Sequence, residues 1–268
     1  MFASPSMADE IPDYETYDYE REWRSRGIQN RAERELLEKL IEPRESCLEL
    51  GGGFGRLTST LESMFEKVFM IDMSRSNLER ASTRLEKTKL IRTNIIGIPF
   101  EDCTFDSVVM VRVLHHVRDL KTLLGEVVRV SRRNACVVVG VPNTSRSRGL
   151  AKNTFVGVGP QGHTIYAAPI SAYAHPLLDR VEMRGLGLFD NGIGKRLHSW
   201  SRLAALDVAT SVAWTAKPYL FIKFRATKTG VNREPYVLCT CGAPLMSDTC
   251  PVCGRSAAGI VDLTRPVG

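Results

Sequence analysis

The stretch that most constrains this chain is Glu49-Leu-Gly51-Gly-Gly53-Phe-Gly55, in which three glycines recur at every second position directly after the apolar run Cys47 to Leu50. The run reads as a short buried strand, and Leu57, Leu61 and Met64 mark the inner face of a helix that follows the turn. Glycine has no Cβ, so such a turn takes φ > 0 and brings backbone close to a ligand, while the helix N-terminus offers unpaired N–H donors. A nucleotide or a methionine carboxylate suits that arrangement.

Spacing separates these ligands. A dinucleotide fingerprint needs a further glycine at 56 or 58, but Arg56 and Thr58 stand there, and no Gly-Lys-Ser/Thr follows to make a P-loop. The E-x-G-x-G-x-G pattern, with Glu49 two positions before the first spaced glycine, resembles motif I of the class I S-adenosylmethionine (SAM) dependent methyltransferases. The resemblance implies an α/β fold with a doubly wound, seven-strand Rossmann-like sheet. It also implies that Glu49, Gly51, Gly53 and Gly55 belong to the cofactor site.

Val68 to Ile71 form a second apolar strand, and Asp72 stands at its carboxyl end, seventeen residues after Gly55. Ligands of open α/β sheets bind beyond the carboxyl ends of strands, where a carboxylate accepts from both ribose hydroxyls. Asp72, with Met73 beside it, is therefore expected on the cofactor. An N-cap role for Asp72 is the competing reading, though Ser74 can serve that cap. Lys89 to Thr93 read as a third strand, and Asn94-Ile95 through Pro99-Phe100 with Phe105-Asp106 resembles the D-x-x-x-LPF…FD segment of the methyltransferase family that includes quinone and sterol enzymes. The resemblance implies adenine contact at Asn94 and Ile95, with an amide where the family has a carboxylate.

Val108 to Val113 are expected as strand four and Ala135 to Val141 as strand five, with the helix Leu120 to Val130 between them. The segment V-L-H-H-V-R-D-L resembles the family's stretch after strand four and places Arg112, His115 and His116 near the acceptor. His115 and His116 are candidate general bases because imidazole titrates near neutrality; packing roles compete. An enzyme of this kind can also work chiefly by aligning its nucleophile. Further on, 144 to 162 read as a loop over the site, and Pro169 to Leu178 as a helical substrate wall with His163 and Tyr166 as substrate contacts. Strands six and seven are expected at Leu186 to Phe189 and Tyr219 to Phe224, with the helix Trp200 to Ala213 between.

The tail carries Cys239-Thr-Cys241-Gly and Cys250-Pro-Val-Cys253-Gly, two pairs separated by eight residues. Four thiolates so spaced suit a tetrahedral structural Zn2+ in a small C-terminal zinc ribbon; a redox pair is the alternative. Four such ligands leave no open coordination position, so the metal is expected to fold the appendage or dock an RNA or protein partner. Cys47, Cys103 and Cys136 read as buried apolar residues.

Three segments follow from this reading: a flexible acidic segment 1–29, a methyltransferase domain 30–230 and a zinc-ribbon-like domain 231–268. Within the first, Trp23 and Arg26 either close over the ligand or, for Trp23, pack on the core. A helix from Asn30 to Ile41 is expected to cover a sheet edge. No leader or membrane-spanning run stands out, which points to a cytoplasmic protein. The first twenty residues hold six acidic and no basic side chains, whereas Pro142 to Gly230 hold twelve Lys or Arg against four Asp or Glu. That excess is either a solvated surface or an attractor of anions. No Asn/Asp-Pro-Pro-Tyr/Phe segment and no Pro-Cys nucleophile follow strand four, so the reading is methyl transfer to a small, anionic metabolite, lipid precursor or sugar. Methylation of tRNA or rRNA, and SAM binding without catalysis, are the alternatives.

Overall fold

A computed structural model of the 268-residue chain describes residues 15, 17–143, 155–158, 164–168, 170–187, 200–213, 217–247, 249–254, 256 and 259–264. In chain order the elements are α1 (Tyr19–Arg24), α2 (Gly27–Leu40), β1 (Ser46–Leu50), α3 (Thr58–Met64), β2 (Lys67–Asp72), α4 (Arg75–Ser82), β3 (Lys89–Arg92), β4 (Phe105–Val111), α5 (Leu120–Val130), β5 (Ser131–Pro142), β6 (Phe155–Val158), β7 (Thr164–Ala167), β8 (Leu178–Leu186), α6 (Trp200–Ala209), β9 (Tyr219–Ala226), β10 (Val237–Leu238), β11 (Pro244–Leu245) and β12 (Val261–Asp262). The main sheet has the order β12-β3-β2-β1-β4-β5-β9-β8; β10 with β11, and β6 with β7, form separate hairpins.

Strands β3, β2, β1, β4 and β5 are parallel, and β9 enters antiparallel between β5 and β8. Every residue of β1 and β4 is buried, as expected of central parallel strands covered on both faces. The order reverses between β1 and β4, and that switch point opens a crevice at the carboxyl ends of the strands.

The sheet has eight strands rather than seven. The eighth, β12, comes from beyond the cysteine pairs and runs parallel to β3, with Val261 opposite Ile91 and Asp262 opposite Arg92. Strand six lies at Leu178–Leu186, overlapping the expected 186–189 only at its last residue, and 188–189 lie outside the described residues. As the sheet's edge it carries several exposed and half-buried residues, so only its apolar end stood out in the sequence. Strand four likewise begins earlier and ends at Val111, because Arg112 turns out of the sheet with φ 65°. The expected wall helix over 169–178 is a 3-10 turn at Ile170–Tyr173.

Helix α2 covers a sheet face rather than an edge. Its Ile28, Ala32, Leu36, Leu37 and Leu40 share a core with Leu61 of α3, Val109 and Val111 of β4, Val138 of β5 and Phe221 of β9. Helix α5 packs Leu123, Leu124, Val127 and Val128 into a larger cluster with Leu48, Ile91, Phe105 and Val137. The cysteine tail joins that cluster through Val237, Cys239, Leu245, Cys250, Val261 and Leu263. Of the acidic N-terminal segment, α1 lies on the body with Trp23 buried.

Candidate cofactor and metal sites

The glycine turn forms as its composition requires. Gly51 and Gly53 have φ of 68° and 59°, and a Cβ on Gly51 would stand 2.4 Å from a methyl carbon of Val113. Both line a cleft of about 780 Å³, its open mouth included, together with Tyr19, Glu49, Arg56, Asp72, Met73, Ile95, Arg112 and His116. Gly55 is left-handed as well, with φ 80°, but does not line the cleft, and a Cβ there would meet Leu85 at 2.9 Å and Ala81 at 3.4 Å.

Asp72 ends β2 with its carboxylate held by two backbone donors, Gly53 N–H at 2.8 Å and Ser74 N–H at 2.9 Å. The N-cap of α4 is Ser74, whose hydroxyl accepts from Asn77 N–H, so Asp72 is not needed there. Each Asp72 oxygen keeps a further lone pair for a ligand hydroxyl. Burial pushes the Asp72 carboxyl up to about 6 and the Glu49 carboxyl up to about 7. Glu49 accepts from the Thr58 hydroxyl at 2.5 Å. A cleft that strains two carboxylates toward neutrality suits a ligand bringing hydroxyls and a positive charge.

Ile95 lies on the cleft wall. Asn94 does not, and its side-chain oxygen accepts from Ile96 N–H at 2.9 Å. In the 3-10 turn Leu114–His116, His116 reaches the cleft and His115 does not. Among the described residues the buried His115 Nδ1 has no hydrogen-bond partner, and burial followed by the charges of His116 and Arg112 holds its pKa well below 6.5. That makes His115 a poor base at neutral pH. His163 lies outside the described residues, and Tyr166 is placed on β7 by its backbone alone.

A charge cluster at the cleft's edge was not foreseen. Glu33 of α2, 1% exposed, receives Arg56 from the glycine loop and Arg112 from the end of β4, each at 2.5 Å. Burial pushes the Glu33 carboxyl up, but the two guanidiniums outweigh it and hold the group below its ordinary value. Trp23 is stacked by both arginines, at 3.7 Å from Arg56 and 4.9 Å from Arg112, and Arg112 also lies 4.2 Å from the ring of Tyr219. The left-handed backbone at Arg112 costs about 1–2 kcal/mol, so the surrounding contacts hold that residue in place. Arg56 occupied the position at which a dinucleotide site has glycine, which was its only signal. Tyr19 sat in a stretch without apolar periodicity.

In the tail the sulfurs of Cys239, Cys241, Cys250 and Cys253 all lie within 4.8 Å of one another. Two pairs stand at 3.4 Å (Cys239 and Cys253) and 3.6 Å (Cys241 and Cys250). Tetrahedral Zn–S bonds of ~2.3 Å put sulfurs ~3.8 Å apart, so the donor set fits such an ion. Backbone N–H from Cys253 helps pull the Cys250 thiol down to about 6, while, against a backbone N–H from Ala243, desolvation and the neighbouring thiols push that of Cys241 up to about 11, since four sulfurs this close do not all ionise without a cation among them.

Residues 48–139 match the methyltransferase domain family. A 2-phytyl-1,4-naphtoquinone methyltransferase from Trichormus variabilis is 32% identical over 44% of this chain and 56% of that protein. The chain spans between about a third and a little over half of the length of the curated relatives it matches. Among solved structures, an SAM-dependent methyltransferase from Mesorhizobium loti superposes with TM-score 0.55 at 16% identity, covering 74% of this chain and 99% of that one. The [4+2]-cyclase SpnF superposes with TM-score 0.54 at 11% identity, covering 75% and 81%. With the glycine turn, Asp72 and the sheet order in place, residues 48–139 match the methyltransferase domain family, and the fold built around them is that of the class I SAM-dependent methyltransferases.

Proposed function

We propose that the chain is an SAM-dependent methyltransferase acting on a small, anionic acceptor. The observation that carries the cofactor part is the Asp72 carboxylate, fixed by Gly53 and Ser74 N–H at the strand end beside two left-handed glycines. In this reading Asp72 takes the ribose hydroxyls, Glu49 faces the methionine ammonium, and Met73 and Ile95 enclose the adenine, with Asn94 behind that wall. When bound, SAM supplies an electrophilic methyl group on a sulfonium. The chain's own work is to hold that group and exclude water, with Tyr19 and the α1 segment as cover.

The small-molecule reading is supported by the naphtoquinone enzyme among the relatives. The SpnF likeness shows that this fold also serves a protein named for other chemistry, so transfer needs a direct test. Labelled SAM incubated with cell extract tests it: label in the small-molecule fraction is expected, and label in a ribonuclease-sensitive fraction favours RNA. Tight SAM binding with no transfer to either fraction favours a non-catalytic binder. The four-cysteine tail is proposed as a structural zinc site that folds residues 231–268 onto the sheet, and metal analysis finding no zinc would remove it. Among the described residues no helix is long and apolar enough to cross a membrane.

A further inference from the structure

A second cavity, of about 470 Å³ with its mouth, shares Arg112 with the cofactor cleft. Its walls include Gln29 and Glu33 of α2, Leu186 and Gly187 at the end of β8, and Tyr219 at the start of β9. Leu186 pairs with Tyr219, which pairs with Pro142 at the carboxyl end of β5. The cavity therefore opens at the same sheet edge as the cleft, and Arg112 is the residue that lines both.

Among the described residues, Arg112 on this wall and Arg56 in the cofactor cleft both pair with the one carboxylate of Glu33, so these three groups together carry a net positive charge. Arg112 spends Nε and Nη2 on Glu33, and no hydrogen bond from its Nη1 is found among the described residues. The other carboxylate on the wall, Asp207, is matched by Lys217 at 2.5 Å. A buried excess cation with an unused donor calls for an anionic group.

We propose that this second cavity is the methyl-acceptor site and that it takes a small molecule whose carboxylate or phosphate binds Arg112. This rests on the methyl-transfer reading. Gln29 lines this cavity and not the cofactor cleft, so Gln29→Trp fills the space from α2 without touching the cofactor walls. The experiment measures SAM affinity by calorimetry and transfer of labelled methyl to the small-molecule filtrate of a cell extract, in wild type, Gln29→Trp and Arg112→Met. Gln29→Trp is expected to keep SAM affinity within threefold and to lose at least tenfold in transfer. Arg112→Met, in which Arg56 still pairs Glu33, is expected to lose transfer, with Arg112→Lys recovering part of it. Carboxylate against phosphate is decided by whether phenyl phosphate or benzoate competes with transfer; inhibition by neither overturns the anion assignment. Wild-type transfer in either blocked variant overturns the site. Absence of transfer by the wild type instead overturns the underlying methyltransferase reading and the acceptor site with it.

Discussion

The backbone N–H of Gly53 donates to the Asp72 carboxylate at 2.8 Å, so the glycine turn after β1 and the end of β2 are locked together across the mouth of the cleft. One residue thus shapes the turn and presents oxygen lone pairs to a ligand. Replacing Asp72 with alanine removes a charged partner, which costs about 1.5–3 kcal/mol, or roughly ten- to a hundredfold in SAM affinity. Asp72→Asn keeps one acceptor oxygen and is expected to fall between. Calorimetric titration with SAM checks both, and wild-type affinity in Asp72→Ala would refute the ribose assignment.

Glu49 gives a pH signature. Its carboxyl is raised from 4.5 to about 7 by burial, so the folded protein binds a proton more readily than the unfolded chain. The sign follows: Glu49 contributes most to apo stability at low pH, and that contribution declines as pH rises from about 4.5 through 7. SAM affinity runs the other way, because the ionised carboxylate is the form that pairs with an ammonium. Between pH 6 and 8 wild-type apo protein is expected to lose stability relative to Glu49→Gln while its SAM affinity rises. His115, with a lowered pKa, works in the opposite sense below its unfolded value of 6.5, and it is common to both proteins. Denaturant melts of the pair at the two pH values check the difference; parallel curves would contradict it.

How far the sequence revealed this site depends on the range of the interactions. The glycine turn, Asp72 and helix α5 are local patterns, and α5 spans Leu120–Val130 as its apolar spacing predicts. Strand β8 was misplaced because an edge strand lacks the continuous apolar run that marks β1 or β4. The Glu33 cluster was invisible because its members sit 23 and 79 residues apart, and nothing local marks a helix glutamate as the partner of distant arginines. Strand β12 was missed for the same reason: Val261 and Asp262 gain strand geometry only by lying beside Ile91 and Arg92.

Glu33 supports a prediction on stability. Its removal leaves two guanidiniums facing each other in a largely buried site with no carboxylate between them. Breaking a buried pair in this way costs roughly 3–5 kcal/mol. Glu33→Ala is therefore expected to lower the denaturant midpoint sharply, and Glu33→Gln less, since the amide oxygen still accepts one bond. A loss under about 1 kcal/mol in Glu33→Ala, the range of an exposed ion pair, would show that the cluster is solvated in solution.

The cysteine tail gives the last prediction. Its first pair is anchored by Leu238 N–H on Pro99 carbonyl at 2.7 Å, and its distal end by Leu263 N–H on Arg92 carbonyl at 2.8 Å. Between these anchors the described backbone is held by the short β10–β11 hairpin, the Thr249–Ser256 bridge and the knuckle turns, so a metal at the four sulfurs is expected to decide whether β12 stays on the sheet. One zinc per chain is expected on metal analysis. Chelation at neutral pH is expected to expose the β3 edge, which amide hydrogen exchange reads as faster exchange at Arg92 of β3 and at Leu263, whose N–H donates to the Arg92 carbonyl, with little change at β1. Arg92 links that edge to the cleft, because its Nε donates to the Met73 carbonyl at 3.0 Å. Cys250→Ser is therefore expected to lower SAM affinity as well, by several-fold rather than completely, since Asp72 and the glycine turn remain. Unchanged exchange at β3 after the metal is stripped would show that strand pairing alone holds the tail.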